Sequence, residues 1–466
     1  MKAMPSRGDL LLAYYADDFT GATDVLESLA RAGVPTALFL DPPGPRRLEA
    51  YGPLRGFGVA GTSRTMSPAE MAEQLPSVFR SLAAAKPRHV HYKICSTFDS
   101  SPRIGSIGRA IDLAAVAIRP PFVPLLVGAP MLGRYCVFGN LFARSGLDSE
   151  PHRLDRHPTM SEHPTTPMDE ADLRLHLGRQ TEAAVGLLDV THLDDIRAAR
   201  RRLAALVADG SRIVLCDVLT EAHLELLGQL LDAEGGPGRR SFLVGSSAIE
   251  YALVSSWRDQ GLLPPPPAVP RLRSARSLVV VSGSCSPVTD RQIARAVEAG
   301  FAAVAVDTAA LAVPATRAAA LTAALTAADR DFAAGRSVIF HTARGPRDRR
   351  LAQTRKGLAA RRLEPAATLG AALGELLDEA LRRTGWTRGG VTGGDTSGHA
   401  ARALGLEALE FAAPLAPGSP LCLARAPGRT ADGREIFFKG GQNGRDDFFL
   451  TAVGGDRRHT PRERAR

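Results

Sequence analysis

The sequence is poor in cysteine, lysine and aromatic residues, and each shortage removes a class of explanation. Five cysteines occur in 466 residues: Cys95, Cys136, Cys216, Cys285 and Cys422. The number is odd, the spacing is wide, and no CxxC pair is formed. Disulfide frameworks and zinc ribbons need paired, closely spaced thiols, so neither is expected, and a reducing compartment fits. Aromatics make up 5% of the chain. A nucleic-acid surface interleaves cations with stacking rings. Here the net charge of +9 sits mainly on thinly spread arginines, with short clusters at 200–202, 347–350 and 457–466. Nucleic acid is therefore not expected as a partner, whereas such a surface attracts small anions. The longest apolar runs, 278–281 and 301–306, are far too short to cross a bilayer, so no membrane contact is expected. The opening MKAMPSRGD leads into a short apolar stretch that ends at Asp17 and Asp18, which predicts no signal peptide and a cytoplasmic location.

What is present is an alternation of short apolar runs and amphipathic segments. Strands are expected at 10–16, 35–40, 90–94, 277–282, 301–306 and 337–340, and helices at 21–32, 104–117, 288–299 and 315–334. This predicts an α/β fold of two domains, each with a largely parallel sheet flanked by helices. Four consecutive prolines at 264–267 can continue neither a helix nor a central strand. They set the expected boundaries: a first domain at 1–263, a stiff linker at 264–270, a second domain at 271–454 and a basic tail at 455–466.

Ligands of parallel sheets bind beyond the carboxyl ends of strands, and the unusual residues fall there. Asp17 and Asp18 follow the first strand. Adjacent carboxylates suit a hydroxyl acceptor, a general base or a Mg²⁺ ligand, and equally a helix N-cap. The next loop holds Lys93, Ser96, Thr97, Asp99 and Arg103. A chain with only five lysines, Lys2, Lys86, Lys93, Lys356 and Lys439, places one here, which points to a required compact ammonium. Cations beside hydroxyls suit a carboxylate-bearing polyol. The segment 153–168, with His-Pro pairs at 157–158 and 163–164, reads either as a substrate-covering loop or as a structural connection, and it lacks zinc-ligand spacing.

The second half has three small-residue loops, at 282–289, 391–398 and 438–449. Their glycines let backbone amides approach an anion at a helix N-terminus. None matches GxxxxGK[ST] or GxGxxG, which disfavours a P-loop NTPase or a Rossmann dehydrogenase. The residues alone thus predict one domain for a polar anionic small molecule and another for a phosphate-bearing ligand. A sensor without chemistry and a Schiff-base aldolase using Lys93 are the competing readings.

Five motifs, ADDFTGATD at 16–24, YKICSTFDSSPRIGSIG at 92–108, SGSCS at 282–286, GGDTSG at 393–398 and KGGQNGRDDFF at 439–449, together resemble the four-carbon acid sugar kinase family over essentially the whole chain. The resemblance implies ATP and Mg²⁺ as cofactors and a terminal hydroxyl of a small oxo sugar acid as acceptor. It implies Asp17, Asp18, Lys93, Ser96, Thr97 and Asp99 around the acid; the mechanism expected from this makes Asp17 or Asp18 the catalytic residue and Lys93 and Arg103 the candidates for the substrate carboxylate. It implies Ser284, Gly393, Gly394, Asp395, Thr396 and Gly441 around the nucleotide, and names no direct metal ligand. The family often has Glu at position 395 and KSGNFG in the last motif. The middle segment, with VFGNLF at 137–142, departs from the 3-oxo-tetronate branch, and makes the branched 3-oxo-isoapionate a candidate substrate. The oligomeric state is open, a homodimer among the options.

Overall fold

Residues 10–145, 149–163 and 165–454 are described by a computed structural model. The opening residues, Pro164 of the second His-Pro pair and the basic tail at 455–466 lie outside the described residues. The chain divides into two compact units, one ending at Pro267 and the other beginning at Ala268.

The first unit contributes β1 (Leu12–Ala16), β2 (Thr36–Phe39), β3 (Gly56–Ala60), β4 (His89–Lys93), β5 (Val123–Leu126), β6 (Arg134–Val137), β7 (Asn140–Arg144), β8 (Pro151–Arg153), β9 (Val185–Leu188), β10 (Ile213–Cys216) and β11 (Phe242–Gly245). Eight of them pair in parallel in the order β2-β3-β1-β4-β11-β5-β10-β9. Every residue of β1 to β5 is buried, as expected of strands covered on both faces. Gly56, Gly58 and Gly61 happen to have GxGxxG spacing, yet they belong to β3 and its end. A Cβ at Gly58 would fall 2.0 Å from the Tyr14 ring, and one at Gly61 2.2 Å from the Tyr15 ring. These glycines let β3 lie against tyrosines; they do not cradle a phosphate.

At the amino ends of these strands, a buried carboxylate organises the base. Asp232 accepts from Arg88 Nε (2.7 Å) and Trp257 Nε1 (2.8 Å), pairs with His89 Nε2 (2.9 Å) and accepts from Gln260. Burial opposes its charge, but these partners win and hold its carboxyl well below the usual range.

The strands β6, β7 and β8 form a separate antiparallel sheet that the sequence did not announce. Asp217 fixes its first turn by accepting from the amides of Phe138 (2.6 Å) and Gly139 (2.9 Å). The described residues of the segment 153–168 continue from it in tight turns. Leu154 and Met168 are buried, His157 Nδ1 accepts from the Thr159 and Met160 amides, and His163 Nδ1 accepts from that of Thr166. These histidines close turns.

The second unit contributes β12 (Val279–Ser282), β13 (Ala302–Ala305), β14 (Val338–His341), β15 (Arg388–Thr392), β16 (Ala408–Ala416), β17 (Ser419–Arg425) and β18 (Glu435–Lys439). Their order is β13-β14-β12-β15-β18-β17-β16. The first five are parallel, and β17 runs antiparallel to both its neighbours.

Both units wind alike. In each, the first strand sends the chain to one side for two strands, and the next strand returns on the other side. The switch points therefore lie between β1 and β4, and between β12 and β15. Sheets of this type open a crevice there, beyond the carboxyl ends.

Candidate active site

At the first switch point β1 ends at Ala16 beside Lys93 of β4. The Asp17 amide donates to the Lys93 carbonyl (3.0 Å), and the Arg64 amide donates to the Asp17 carbonyl (3.0 Å). Asp17 is thus clamped between the β4 end and the turn after β3. Asp18 is extended (φ −141°, ψ 165°) and caps the helix Phe19–Arg31, its Oδ1 accepting from the Gly21 amide at 2.9 Å. That helix begins two residues before the expected start because the cap is Asp18 itself.

Arg64, which sequence reasoning passed over, joins the two carboxylates. Its Nε and Nη2 donate to Asp17 Oδ2 (3.1 Å) and Oδ1 (2.7 Å), and Nη2 also donates to Asp18 Oδ1 (2.9 Å). Burial opposes its charge, yet Asp17 and Asp18, with Cys95 and Asp99 in range, hold the guanidinium well above its ordinary value. Asp17 is 2% exposed. Burial pushes its carboxyl up to about 6, with Arg64 pulling down and the Asp18 charge pushing further up. Asp18 is the more accessible of the two, its side chain 17% exposed against 3% for Asp17. Its Oδ2 has no hydrogen-bond partner among the described residues.

Lys93 is buried. Its Nζ donates to the Ile94 carbonyl (3.2 Å) and lies 3.7 Å from Asp24 Oδ2. Asp24 in turn accepts from Ser247 Oγ. Burial disfavours the ammonium, but Asp24, Glu250 and Asp18 outweigh it and raise the Lys93 pKa. Beyond β4 the chain turns sharply. Phe98 takes a left-handed conformation (φ 57°) with its ring fully buried, and Thr97 Oγ1 donates to Asp99 Oδ1 (2.7 Å). Ser96 is half-buried in this turn. Burial drives the Cys95 thiol up to about 11, so it is no nucleophile at neutral pH.

Asp17, Asp18, Lys93 and the 96–99 turn thus gather around Arg64. Arg103 does not join them. It is exposed in the 101–105 turn, which Ser101 and Gly105 (φ 64°) hold against the Arg64 backbone. A second arginine missed in the sequence, Arg134 of β6, lies in electrostatic range of Cys95 and Asp99.

At the second switch point the three small-residue loops touch. The Gly283 amide donates to the Thr392 carbonyl (2.8 Å), and the Gly393 amide to the Lys439 carbonyl (2.9 Å). A Cβ on Gly283 would lie 2.8 Å from Thr396 Oγ1, and one on Gly441 2.7 Å from Ser284 Oγ. Gly393 has φ 127° and starts the helix Gly394–Ala403, with Asp395 exposed in its first turn. The helix Pro287–Glu298 grips the last loop: Thr289 Oγ1 donates to the Gly441 carbonyl (2.8 Å), and Gln292 Nε2 to the carbonyls of Asn443, Gly444 and Arg445. Ser284, Gly393, Thr396 and Gly441 therefore lie close together, with Gly394 and the exposed Asp395 next along the helix start. Neither Ser284, Cys285, Gly441 nor Gln442 donates its amide to another described residue. Such open amides at a helix N-terminus form an anion site.

Comparison with known proteins agrees with this division. Residues 12–253 match a sugar-binding N-terminal domain family, and residues 279–449 a nucleotide-binding C-terminal domain family. The chain is 45% identical to a 3-oxo-isoapionate kinase of Paraburkholderia graminis, covering 94% of this chain and 93% of that one. It is 32% identical to a 3-oxo-tetronate kinase of Cupriavidus necator, covering 95% and 96%. A crystal structure from Salmonella typhimurium LT2, described provisionally as a tRNA synthase, superposes with a TM-score of 0.76 at 27% identity, covering 95% of this chain and 98% of that one. The chain belongs to the acid sugar kinase family, built from a sugar-binding N-terminal domain and a nucleotide-binding C-terminal domain.

Proposed function

We propose that this chain is an ATP-dependent kinase that phosphorylates the terminal hydroxyl of a small oxo sugar acid, with 3-oxo-isoapionate as its substrate. The kinase reading rests on one observation above all: each unit gathers polar groups near its switch point, carboxylates and cations in the first and open amides in the second. The choice of acid rests on the higher identity to the 3-oxo-isoapionate kinase than to the 3-oxo-tetronate kinase.

In this reading Asp18 is the acceptor for the reacting hydroxyl through its unpartnered Oδ2. Asp17 acts through Arg64, which it holds by two hydrogen bonds. Lys93 meets the substrate carboxylate, and Ser96, Thr97 and Asp99 its hydroxyls. The hydroxyl oxygen forms a bond to the γ-phosphorus, the bond to ADP breaks, and the hydroxyl proton passes to Asp18. Phosphoryl transfer depends mainly on positioning and on charge stabilisation. The nucleotide lies against Ser284, Gly393, Gly394, Thr396 and Gly441. Mg²⁺ supplies neutralisation of the β- and γ-phosphates when bound. It commonly keeps water and phosphate ligands with one or two carboxylates. This suits a site where no group of three His, Cys, Asp or Glu is clustered among the described residues, and Asp395, at the start of the helix Gly394–Ala403, would hold it.

The aldolase alternative loses ground because Lys93 is paired with Asp24 and raised in pKa, whereas an amine nucleophile must be lowered. Relative kcat/KM values for 3-oxo-isoapionate and the 3-oxo-tetronates, read as ADP release, test the assignment. A clear preference for 3-oxo-isoapionate is expected. A preference for a 3-oxo-tetronate would overturn the choice of acid, and ATP binding without turnover of any acid would favour a sensor.

A further inference from the structure

Of the five lysines, Lys93 and Lys439 are buried at the last position of a strand, Lys93 at the first switch point and Lys439 on β18 beside β15 of the second. Lys93 has a carboxylate partner. Lys439 has none among the described residues, and that difference carries the argument.

Lys439 is 0% exposed. Its Nζ donates to the Gly440 carbonyl (2.8 Å), the Asn443 carbonyl (3.1 Å) and Thr289 Oγ1 (3.3 Å), and sits 5.6 Å from the centre of the Phe448 ring. Three oxygens match the three N–H bonds of an ammonium, whereas a neutral amine leaves one of them facing a lone pair. The charged side chains on the packed elements are engaged elsewhere. Asp290 pairs with Arg344, Arg291 with Asp446 and Arg445 with Asp447, and Asp395 is exposed at its helix start. A buried charge without a counter-charge is costly. Burial alone brings the amine down to about 7.

The hydrogen bonds also set the direction of two amides. A trans peptide points its C=O and N–H in opposite directions. The ammonium draws the Gly440 carbonyl inward, which turns the Gly441 amide away from it. Thr289, accepting from Lys439, donates to the Gly441 carbonyl and so turns the Gln442 amide outward as well. These are two of the amides left open in the crevice.

We propose that Lys439 is the positioning residue of the nucleotide site: it aims the Gly441 and Gln442 amides at a phosphate and takes up a proton when that phosphate binds. This rests on the nucleotide reading of the crevice given above. The anion supplies the missing counter-charge, so the bound state favours the ammonium. Above about pH 7 the free amine is mostly neutral, and binding then draws a proton from solvent. Below that pH the ammonium is already formed and little uptake is expected.

The test is titration calorimetry of Mg-ADP into the full chain, in buffers of different ionisation enthalpy, at pH 6 and pH 8. Wild type is expected to take up nearly one proton per nucleotide at pH 8 and little at pH 6. Lys439→Met is expected to abolish the uptake and weaken binding by about 10-fold or more. Thr289→Val removes the link to the Gly441 carbonyl and one of the three acceptors of the ammonium but leaves the titrating amine in place, so it should weaken binding and keep the uptake. Binding by wild type without uptake at pH 8, or uptake that survives in Lys439→Met, overturns the role of Lys439. If Lys439→Met does not fold, the wild-type pH dependence together with Thr289→Val decides the matter. Absence of Mg-ADP binding by wild type would instead overturn the nucleotide site itself.

Discussion

Replacing Asp18 with asparagine separates chemistry from folding at the acid site. The Asp18 Oδ1 caps the first helix through the Gly21 amide and accepts from Arg64, while Oδ2 is unpartnered among the described residues. An asparagine oxygen can take over the cap, since Asn and Asp cap about equally well. Arg64 keeps both hydrogen bonds to Asp17 (3.1 and 2.7 Å). The cost in stability is therefore about 1 kcal/mol or less, a Tm shift of at most about 2–4 °C for a unit of this size. The loss of a carboxylate that takes the proton of the attacking hydroxyl is far larger, about 100- to 10,000-fold in kcat. Steady-state ADP release with saturating acid measures kcat, calorimetry with Mg-ADP checks that the second unit is untouched, and a thermal melt checks the fold. A kcat within a few-fold of wild type, with an intact melt, would refute the assignment of Asp18.

Three further outcomes follow from the same geometry. Asp17 is raised to about 6 and must be ionised to hold Arg64, so kcat/KM should be sustained above that pH and fall as pH drops through it; a profile flat down to pH 5 would contradict this. Gly441→Ala would bring a Cβ within 2.7 Å of Ser284 Oγ, so the KM for ATP should rise by about 10-fold with the KM for the acid unchanged. Asp232→Asn should destabilise the first unit by about 3–5 kcal/mol, as expected when a buried ion loses its charge among Arg88, His89 and Trp257, yet leave substrate KM values near wild type in denaturant-free assays. Because the Asp232 carboxyl is depressed in the folded state, its contribution is present above the unfolded carboxyl pKa and is lost as pH falls; urea melts from pH 7 down to pH 3 would show it in wild type and not in the variant.

Much of this was legible in the sequence, because it rests on local signals. The strands near 12–16, 89–93 and 279–282 stand out as apolar runs, and the loops after them as clusters of carboxylates, hydroxyls and glycines. Rarity made Lys93 visible. The same logic hid Arg64: in a chain whose cations are nearly all arginine, one more after an apolar strand carries no signal, and its role depends on β3 lying beside β1. Strand order is a property of the sheet, so the shared switch point was likewise out of reach. The β6–β8 sheet escaped notice because its strands are three to five residues long, too short for a period to emerge. Arg103 was grouped with the acid site by its nearness in sequence, and the 101–105 turn faces it to solvent instead. The burial of Lys439 without a counter-charge needs three dimensions to be seen at all.

The central claim is that one sugar-acid unit and one nucleotide unit together transfer a phosphoryl group. Mass spectrometry of the purified chain incubated with Mg-ATP and 3-oxo-isoapionate tests it most directly. The account predicts a monophosphorylated acid formed in equal amount with ADP, and none with Asp18→Asn over the same interval. ADP without a phosphorylated acid, or no change in either compound while Mg-ADP still binds, would contradict it.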